Sequence, residues 1–222
     1  MNIDPSIVVA ITGASGSVYV VRLLQVLLER GQTVDLIVSA AGRQVMLQET
    51  GSSFPLDTAQ GSAWKSLIAR SLSDQIAEPW GLKPLDCEQL CGTLHVHPLH
   101  NFSASIASGS SQTLGMVICP CSTGTLSAIA TGASSNLIHR AADVHLKERR
   151  KLILVPRETP LSRITLRNML TVTDAGAVVL PAMPGYYHQP LAIADLIDFV
   201  VARICDQLEI KHQLSRRWGS DA

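Results

Sequence analysis

The chain has 222 residues, and its 18 Lys and Arg balance 18 Asp and Glu, so the formal net charge is zero. This neutrality argues against bulk electrostatic binding to nucleic acid or to an anionic membrane surface. Hydrophobic residues make up 46% of the chain and charged residues 16%, a composition that excludes disorder and suits one domain over residues 1–222.

The N-terminal segment MNIDPSIVVAITG has no basic residues, and its apolar run stops at Thr12. We therefore interpret it as a strand and not as a signal peptide. No apolar run approaches the roughly 20 residues of a membrane-spanning helix. Five cysteines are an odd number at low density, which favours a reducing compartment. The sequence thus predicts a cytoplasmic protein without a membrane span.

The first fifty residues predict two strands and two helices in alternation. SIVVAIT is a continuous β-branched run, typical of a strand that is buried on both faces, and TVDLIVS predicts a second buried strand. YVVRLLQVLLERG has helical spacing and ends at Gly31, and AAGRQVMLQET predicts the second helix. This β-α-β-α order favours an α/β fold with a mainly parallel sheet and helices on both faces, a three-layer sandwich.

Residues 51–112 are less regular, and only GTLHVHP indicates a strand there. Regular patterns return afterwards and end in a polar tail, residues 211–222. The predicted elements are a strand at LGMVICP, helices at CSTGTLSAIATG and AADVHLKERR, a strand at KLILVP, a helix at LSRITLRNMLTVTDAG, a strand at AVVLPA and a helix at LAIADLIDFVVARICDQL.

Three strand-to-helix turns, TGASGS, SAAG and CPCSTGT, carry small hydroxyl residues where a helix begins. Free backbone N–H groups at a helix N-terminus bind anions, and such turns lie together at the carboxyl edge of a parallel sheet. Three of them favour a cofactor that bears a phosphate. The alternative for any one turn is ordinary N-capping, by Ser15 or Ser122.

Positive charge is concentrated in LIHRAADVHLKERRKLILVPRETP, where Arg140 and Lys147 lie seven positions apart and share one helix face. We expect these two residues to face a phosphate, and Arg149 and Arg150 to lie on a solvated surface. Arg157 and Glu158 follow a buried strand directly, which favours a functional role over a surface ion pair.

The histidines and cysteines give a weak metal signal. CEQLCGTLHVHPLH matches no standard zinc spacing, and Cys119 and Cys121 have no CxxC partner, so no metal site is expected. We expect His139, His145 and His188 to be structural.

At these residues the chain resembles the UbiX-type flavin prenyltransferases. The similarity rests on TGASG with Tyr19, CPCSTGTLSAIATG, ERRKLILVPRE, GAVVLPAMPGYYHQP and DFVVARI, and it is nearly continuous from about Gly115 to Asp206. The resemblance implies a flavodoxin-like or Rossmann-like fold. It also implies transfer of a dimethylallyl group from dimethylallyl monophosphate to N5 and then C6 of reduced FMN, without a metal.

The product of this family, prenylated FMN, is the cofactor of UbiD-type decarboxylases, commonly in ubiquinone biosynthesis. The resemblance further implies a homo-oligomer, a dodecamer, whose sites are shared between subunits. The residues that match FMN contacts are Gly13, Ala14, Ser15, Ser39, Ser122, Thr123, Gly124, Thr125 and Arg157.

The donor phosphate would contact Tyr187 and Arg203, with Arg140 and Lys147 as further cations around it. Lys and Arg side chains fixed in place would neutralise the negative charge of the leaving phosphate, in place of a metal ion. Other matching residues are Glu158, which would hand a proton to that phosphate, Ser15 and Glu49 near the reacting centre, and Trp218 as a tail aromatic.

Two alternatives stay open. The first is a flavin-dependent cysteine decarboxylase of related fold, although such enzymes use an early histidine and none precedes His95 here. The second is an FMN-binding carrier without catalytic activity, which would have no use for a second phosphate site.

Overall fold

The computed structural model describes residues 5–52, 61–70, 80–82 and 85–215. Its strands are β1 Ser6–Ile11, β2 Thr33–Val38, β3 Thr93–His97, β4 Thr113–Cys121, β5 Leu152–Pro156 and β6 Val178–Val179. Its helices are α1 Ser17–Glu29, α2 Ala40–Thr50, α3 Gly61–Arg70, α4 Thr123–Ala130, α5 Leu137–Lys147, α6 Arg163–Asp174 and α7 Ile193–Gln207. Short 3-10 turns cover Cys87–Gln89 and Ser105–Ala107.

The six strands form one parallel sheet in the order β3-β2-β1-β4-β5-β6. Val9 of β1 pairs with Leu36 of β2 on one side and with Val117 of β4 on the other. This is the strand order of the Rossmann fold, and the chain reverses direction across the sheet between β1 and β4. The predicted fold class is confirmed.

Each face of the sheet carries its own apolar core. Val9 packs on one face with residues of α1, α3 and α7, and Val8 packs on the other face with residues of α4, α5 and α6. Alternate residues of a strand point to opposite faces, so both faces need apolar side chains. This is why the central strands are continuous apolar runs.

Most predicted elements are confirmed, with three differences. Helix α5 begins at Leu137, earlier than predicted, and ends at Lys147, where Arg149 takes a left-handed conformation at φ 56°. The last strand is only two residues long. Helix α3 lies in the irregular middle segment, where no helix was expected. Among the described residues, no helix is long and apolar enough to cross a membrane.

Candidate active site

The turns that follow β1, β2 and β4 are tied together at the carboxyl edge of the sheet. The Thr12 hydroxyl donates to the Pro120 carbonyl at 2.8 Å and accepts from the Ser122 N–H at 2.8 Å. The Ser39 N–H donates to the Ile11 carbonyl at 3.0 Å. The buried hydroxyl of Thr12 therefore fixes the β4 turn against the β1 turn, as the expectation of three adjacent turns requires.

Two of these turns cap helices with serine. The Ser39 hydroxyl accepts from the Gly42 N–H at 3.0 Å at the start of α2, and the Ser122 hydroxyl accepts from the Thr125 N–H at 3.2 Å at the start of α4. The N–H groups of the first two residues of each helix have no carbonyl acceptor within their own helix, so they are available to an anion. The capping role suggested for Ser122 is confirmed.

The turn before α1 is different. Its N-cap is Gly16, at φ 119°, and makes no side-chain cap bond, so the capping role considered for Ser15 was wrong. Instead the Glu49 carboxylate of α2 accepts from the N–H groups of Gly16, at 3.0 and 3.1 Å, and Ser17, at 2.7 Å. A carboxylate of the chain itself thus occupies the N-terminus of α1, where the sequence predicted room for an external anion.

Glu49 is ionised at neutral pH. Burial raises the pKa of its carboxyl, but hydrogen bonds from Ser15, Ser17 and Gly16 outweigh this effect and hold the pKa below the ordinary value of 4.5. The site therefore contains a fixed negative charge on the wall of a cavity.

That cavity has a volume of about 440 Å³ and lies above the carboxyl ends of β1 and β5. The Arg157 Nε donates to the Ser15 carbonyl at 3.2 Å, which joins the loop after β5 to the β1 turn. Burial raises the pKa of the Tyr19 phenol, so the ring stays neutral. The lining includes Ser15, Tyr19, Glu49, Trp80, Arg157 and Ala182.

The Trp80 side chain lines this cavity, and the sequence did not indicate it as a site residue. It lies in the irregular middle segment, which neither periodicity nor the family resemblance placed in the fold. The available signal was composition, because the chain contains only three tryptophans. A large aromatic residue in a polar segment of an aromatic-poor chain is a reasonable candidate for a binding surface.

A second cavity of about 300 Å³ adjoins the first, and Arg157 and Ala182 line both. It also contains Glu158, which is exposed and accepts from the Thr159 N–H at 3.1 Å, and Met183. Arg157 therefore stands between an aromatic cavity that contains Glu49 and a second cavity that contains Glu158.

The small residues of the turns have distinct reasons to be small. A Cβ on Gly13 would lie 2.5 Å from the Ala41 Cβ, so this glycine lets α2 approach β1. A Cβ on Gly124 would meet no atom within 4 Å. Gly124 thus faces open space at the start of α4, beside Thr123, where a ligand can approach the backbone closely.

The predicted cations of α5 lie elsewhere. Arg140 binds the Ala107 carbonyl at 3.0 Å and Asp143 at 2.7 Å, and Lys147 contacts Glu148. His145 bonds to Thr113, the first residue of β4, at 2.8 Å, which puts the end of α5 at the amino edge of the sheet. β4 is nine residues long, so Lys147 is roughly 27 Å along the strand direction from the turns.

Arg149 and Arg150 were both expected on a solvated surface. Arg150 is half-buried, and its guanidinium donates to the carbonyls of Gly109, at 2.6 Å, and Ser111. It anchors the loop before β4, so the surface expectation was wrong for Arg150. Arg149 is exposed, as expected.

Tyr187 and Arg203 lie on the opposite face of the sheet from α5. The Tyr187 ring packs edge-on against Phe199 of α7, with centroids 5.7 Å apart, and Arg203 lies one helical turn further along α7. The structure therefore separates the two pairs of predicted phosphate ligands, and one chain does not bring them together. Trp218 lies outside the described residues.

The histidines and cysteines do not form a metal cluster in the described part of the chain. Cys119 and Cys121 are fully buried, and burial raises the pKa of Cys121 to about 12. His145 is buried between Thr113 and the Ala141 carbonyl, as expected of a structural histidine.

Three comparisons bear on this arrangement. The flavoprotein family model matches residues 1–208. A flavin prenyltransferase UbiX from Alkalihalophilus pseudofirmus is 48% identical over 218 residues, which cover 98% of each chain. A solved structure of AnUbiX (PadA1) in complex with FMN and dimethylallyl pyrophosphate is 36% identical, with a TM-score of 0.77, and the match covers 97% of this chain and 98% of that one.

A dodecameric FMN-dependent UbiX-like decarboxylase from Escherichia coli O157:H7 is also 36% identical, with a TM-score of 0.77, and the match covers 97% of this chain and all of that one. The matched regions cover nearly the whole chain and so include the segments that form the turns, the cavity and the loop after β5. The chain belongs to the flavoprotein family and, within it, to the UbiX flavin prenyltransferases.

Proposed function

We propose that the chain transfers a dimethylallyl group from dimethylallyl monophosphate to N5 and then C6 of reduced FMN, without a metal ion. The observation that carries this proposal is the composition of the larger cavity. It combines one ionised carboxylate, Glu49, with two aromatic rings, Tyr19 and Trp80, beside the cation Arg157. Such a wall suits a substrate that develops positive charge on an apolar group.

The turns at the switch point fit FMN. The N–H groups that begin α2 and α4 would bind its phosphate, and the space beside Gly124 would admit it close to the backbone. Arg157 would contact the flavin ring from the boundary between the two cavities. Ser39, Ser122, Ala14 and the backbone of Gly13 would complete the contacts. Reduced FMN supplies the nucleophilic N5 and C6 positions.

Glu49, Tyr19 and Trp80 would stabilise the allyl group as its phosphate departs. A carboxylate held by two backbone N–H groups needs no reorganisation when positive charge forms near it. Aromatic ring faces attract a cation by about 0.5 to 2 kcal/mol each. The neutral phenol of Tyr19 keeps this surface uncharged, and Ser15 holds Glu49 in place.

The departing phosphate requires cations, and those of one chain are distributed over two faces of the fold. We propose that Arg140, Lys147, Tyr187 and Arg203 meet a donor only where subunits join, so that the site is completed in a homo-oligomer. The dodecameric state of the E. coli relative supports this assembly. Glu158, in the second cavity, would give the phosphate a proton.

The product would serve a UbiD-type decarboxylase as its cofactor, in the cytoplasm and, in many bacteria, in ubiquinone biosynthesis. Fixed Arg and Lys side chains would take the place of Mg²⁺ at the leaving phosphate. The two alternatives are less favoured. The first histidine, His95, lies on the edge strand β3, outside the cavity that contains Glu49, which disfavours a histidine-dependent decarboxylase.

The test is anaerobic incubation with reduced FMN and dimethylallyl monophosphate, with EDTA in place of Mg²⁺, followed by mass spectrometry of the extracted flavin. We expect a flavin heavier by one C5 prenyl unit. A parallel sample with the diphosphate separates donor preference from activity. Unmodified FMN in both samples, on folded protein that binds FMN, would contradict the proposal and favour a carrier.

A further inference from the structure

Arg203 belongs to a chain of hydrogen bonds that ends in the C-terminal segment. Its Nη1 donates to one Asp206 carboxylate oxygen at 2.8 Å, and the other oxygen lies 3.1 Å from the Nε2 of His212. Arg203 is about half exposed, whereas the His212 side chain is only 4% exposed. A buried imidazole thus holds the carboxylate that holds a surface guanidinium.

The hydrogen bonds of His212 define its tautomer. The Leu214 N–H donates to Nδ1 at 3.3 Å, so Nδ1 is the acceptor and the proton is on Nε2. Nε2–H therefore donates to Asp206, and the ring is neutral. The Leu214 backbone thus orients the His212 imidazole. The imidazole orients the Asp206 carboxylate, which in turn orients the Arg203 guanidinium.

We propose that Asp206 and His212 are positioning residues that orient Arg203 toward the phosphate of the prenyl donor. This inference rests on the proposed function, in which Arg203 contacts that phosphate. The Asp206 contact uses one Nη1 hydrogen, so the edge formed by Nε and Nη2 stays directed away from Asp206. Nε and Nη2 together can donate two parallel hydrogen bonds to a phosphate.

The contribution of His212 is orientation and not charge. An exposed arginine has many rotamers, and immobilising such a side chain when a ligand binds costs conformational entropy. A carboxylate that is itself fixed removes part of this cost before the donor arrives. Since the imidazole is neutral, its loss leaves the charges of Arg203 and Asp206 as they are.

Two substitutions separate the relay from simple anchoring of the tail. His212→Gln puts an amide N–H near the position of Nε2 and keeps the donation to Asp206. His212→Asn puts an amide oxygen near the position of Nδ1 and keeps only the contact with the Leu214 N–H. We expect His212→Asn to raise the KM for dimethylallyl monophosphate about 5- to 10-fold with little change in kcat. His212→Gln should stay within about 2-fold of the wild type, as should Glu209→Gln, an exposed control beyond the end of α7.

A double-mutant cycle completes the test. If His212 acts through Arg203, His212→Asn has no further effect on the donor KM in an Arg203→Ala background. Additive effects, or a low donor KM for His212→Asn together with a high one for His212→Gln, would overturn the relay. An Arg203→Ala variant with an unchanged donor KM would also overturn it while leaving prenyl transfer intact. Failure of the proposed function itself appears separately, as absence of prenylated flavin with the wild type.

Discussion

Two regions of the molecule concentrate charge, and they are built in different ways. In the cavity at the carboxyl edge, Glu49 binds backbone groups 32 and 33 positions away, and Arg157 binds a carbonyl 142 positions away. At the amino edge, Lys147 of α5 contacts Glu148, the next residue in the chain. Long-range partners fix the charges of the cavity, whereas a chain neighbour neutralises Lys147.

The density of charged residues in the sequence does not indicate which charges line the cavity. The dense run of basic residues around α5 was the most conspicuous feature, yet within one chain it faces away from the cavity. The carboxylate that shapes the cavity stands alone in the sequence segment QET. Charges that pair over long range are held in place by the fold, whereas charges that pair along a helix stay free to exchange partners. Lys147 is therefore available to another subunit.

The largest expected effect comes from Glu49→Gln. Gln preserves the shape and one oxygen acceptor but removes the fixed negative charge from the cavity. By analogy with the loss of one preorganised group in other active sites, we expect kcat for prenyl transfer to fall about 100- to 1,000-fold. The measurement is single-turnover formation of prenylated FMN under anaerobic conditions.

The matched control for this prediction is Glu88→Gln, an exposed glutamate in a 3-10 turn far from the cavity, which should keep wild-type turnover. FMN binding by the Glu49→Gln protein, followed by flavin fluorescence, should change little. Full turnover by Glu49→Gln would mean that the carboxylate only caps α1 and takes no part in catalysis.

Mixing subunits tests whether the two regions meet in the assembled enzyme. Lys147→Ala and Glu49→Gln should each inactivate the protein, but a site that takes Glu49 from one chain and Lys147 from another can be intact in a mixed oligomer. Random assembly of equal amounts would restore about a quarter of the wild-type activity. The measurement is turnover by co-expressed chains that carry different affinity tags, after purification on both tags.

A mixed oligomer with no more activity than its parents would mean that each site uses residues of a single chain. The control is a mixture of Lys147→Ala with Arg140→Ala. Both changes lie on the same helix, so mixed sites built from that helix stay defective.

The sequence predicts the sheet well because the strands at its centre are rich in apolar residues, with a continuous apolar run at Ile7–Ile11. The switch point follows from the same patterns, since Ser39 and Ser122 cap the helices after two of its strands. The contacts that the sequence does not predict join residues far apart in the chain. No local pattern indicates that Glu49 reaches the N-terminus of α1, or that Arg150 anchors the loop before β4. Trp80 was not predicted because its segment shows no hydrophobic periodicity.

A smaller effect distinguishes two glycines of the turns. Gly13→Ala should lower the free energy of unfolding by about 1 to 3 kcal/mol, because the new Cβ would press on Ala41 and push α2 away from β1. Gly124→Ala adds a methyl group to open space within a helix and should leave stability equal or higher. Urea unfolding measures both.

FMN titration should rank the two variants in the opposite order, because it measures FMN affinity and not stability. Gly124→Ala should bind FMN more weakly, since the methyl group occupies space beside the α4 N-terminus, while folded Gly13→Ala should bind it nearly as the wild type does. Equal losses of FMN affinity in both variants would contradict the separate roles of the two glycines.

The smallest expected effect is a difference in acid sensitivity between Glu49 and Glu148. Hydrogen bonds hold the pKa of Glu49 below 4.5, so its contribution to stability is present above the unfolded-state value and is lost as pH falls through the lower folded-state value. The stability advantage of the wild type over Glu49→Gln should therefore shrink as the solution is acidified below pH 4.5.

Lys147 also lowers the pKa of Glu148, but this pair is exposed, so salt screens it. Glu148→Gln should consequently follow the wild-type pH dependence at moderate ionic strength, and urea unfolding across this pH range measures both variants. If instead Glu148→Gln flattens the curve and Glu49→Gln does not, the charge at the amino edge is the one the fold holds, and the contrast between the two regions is reversed.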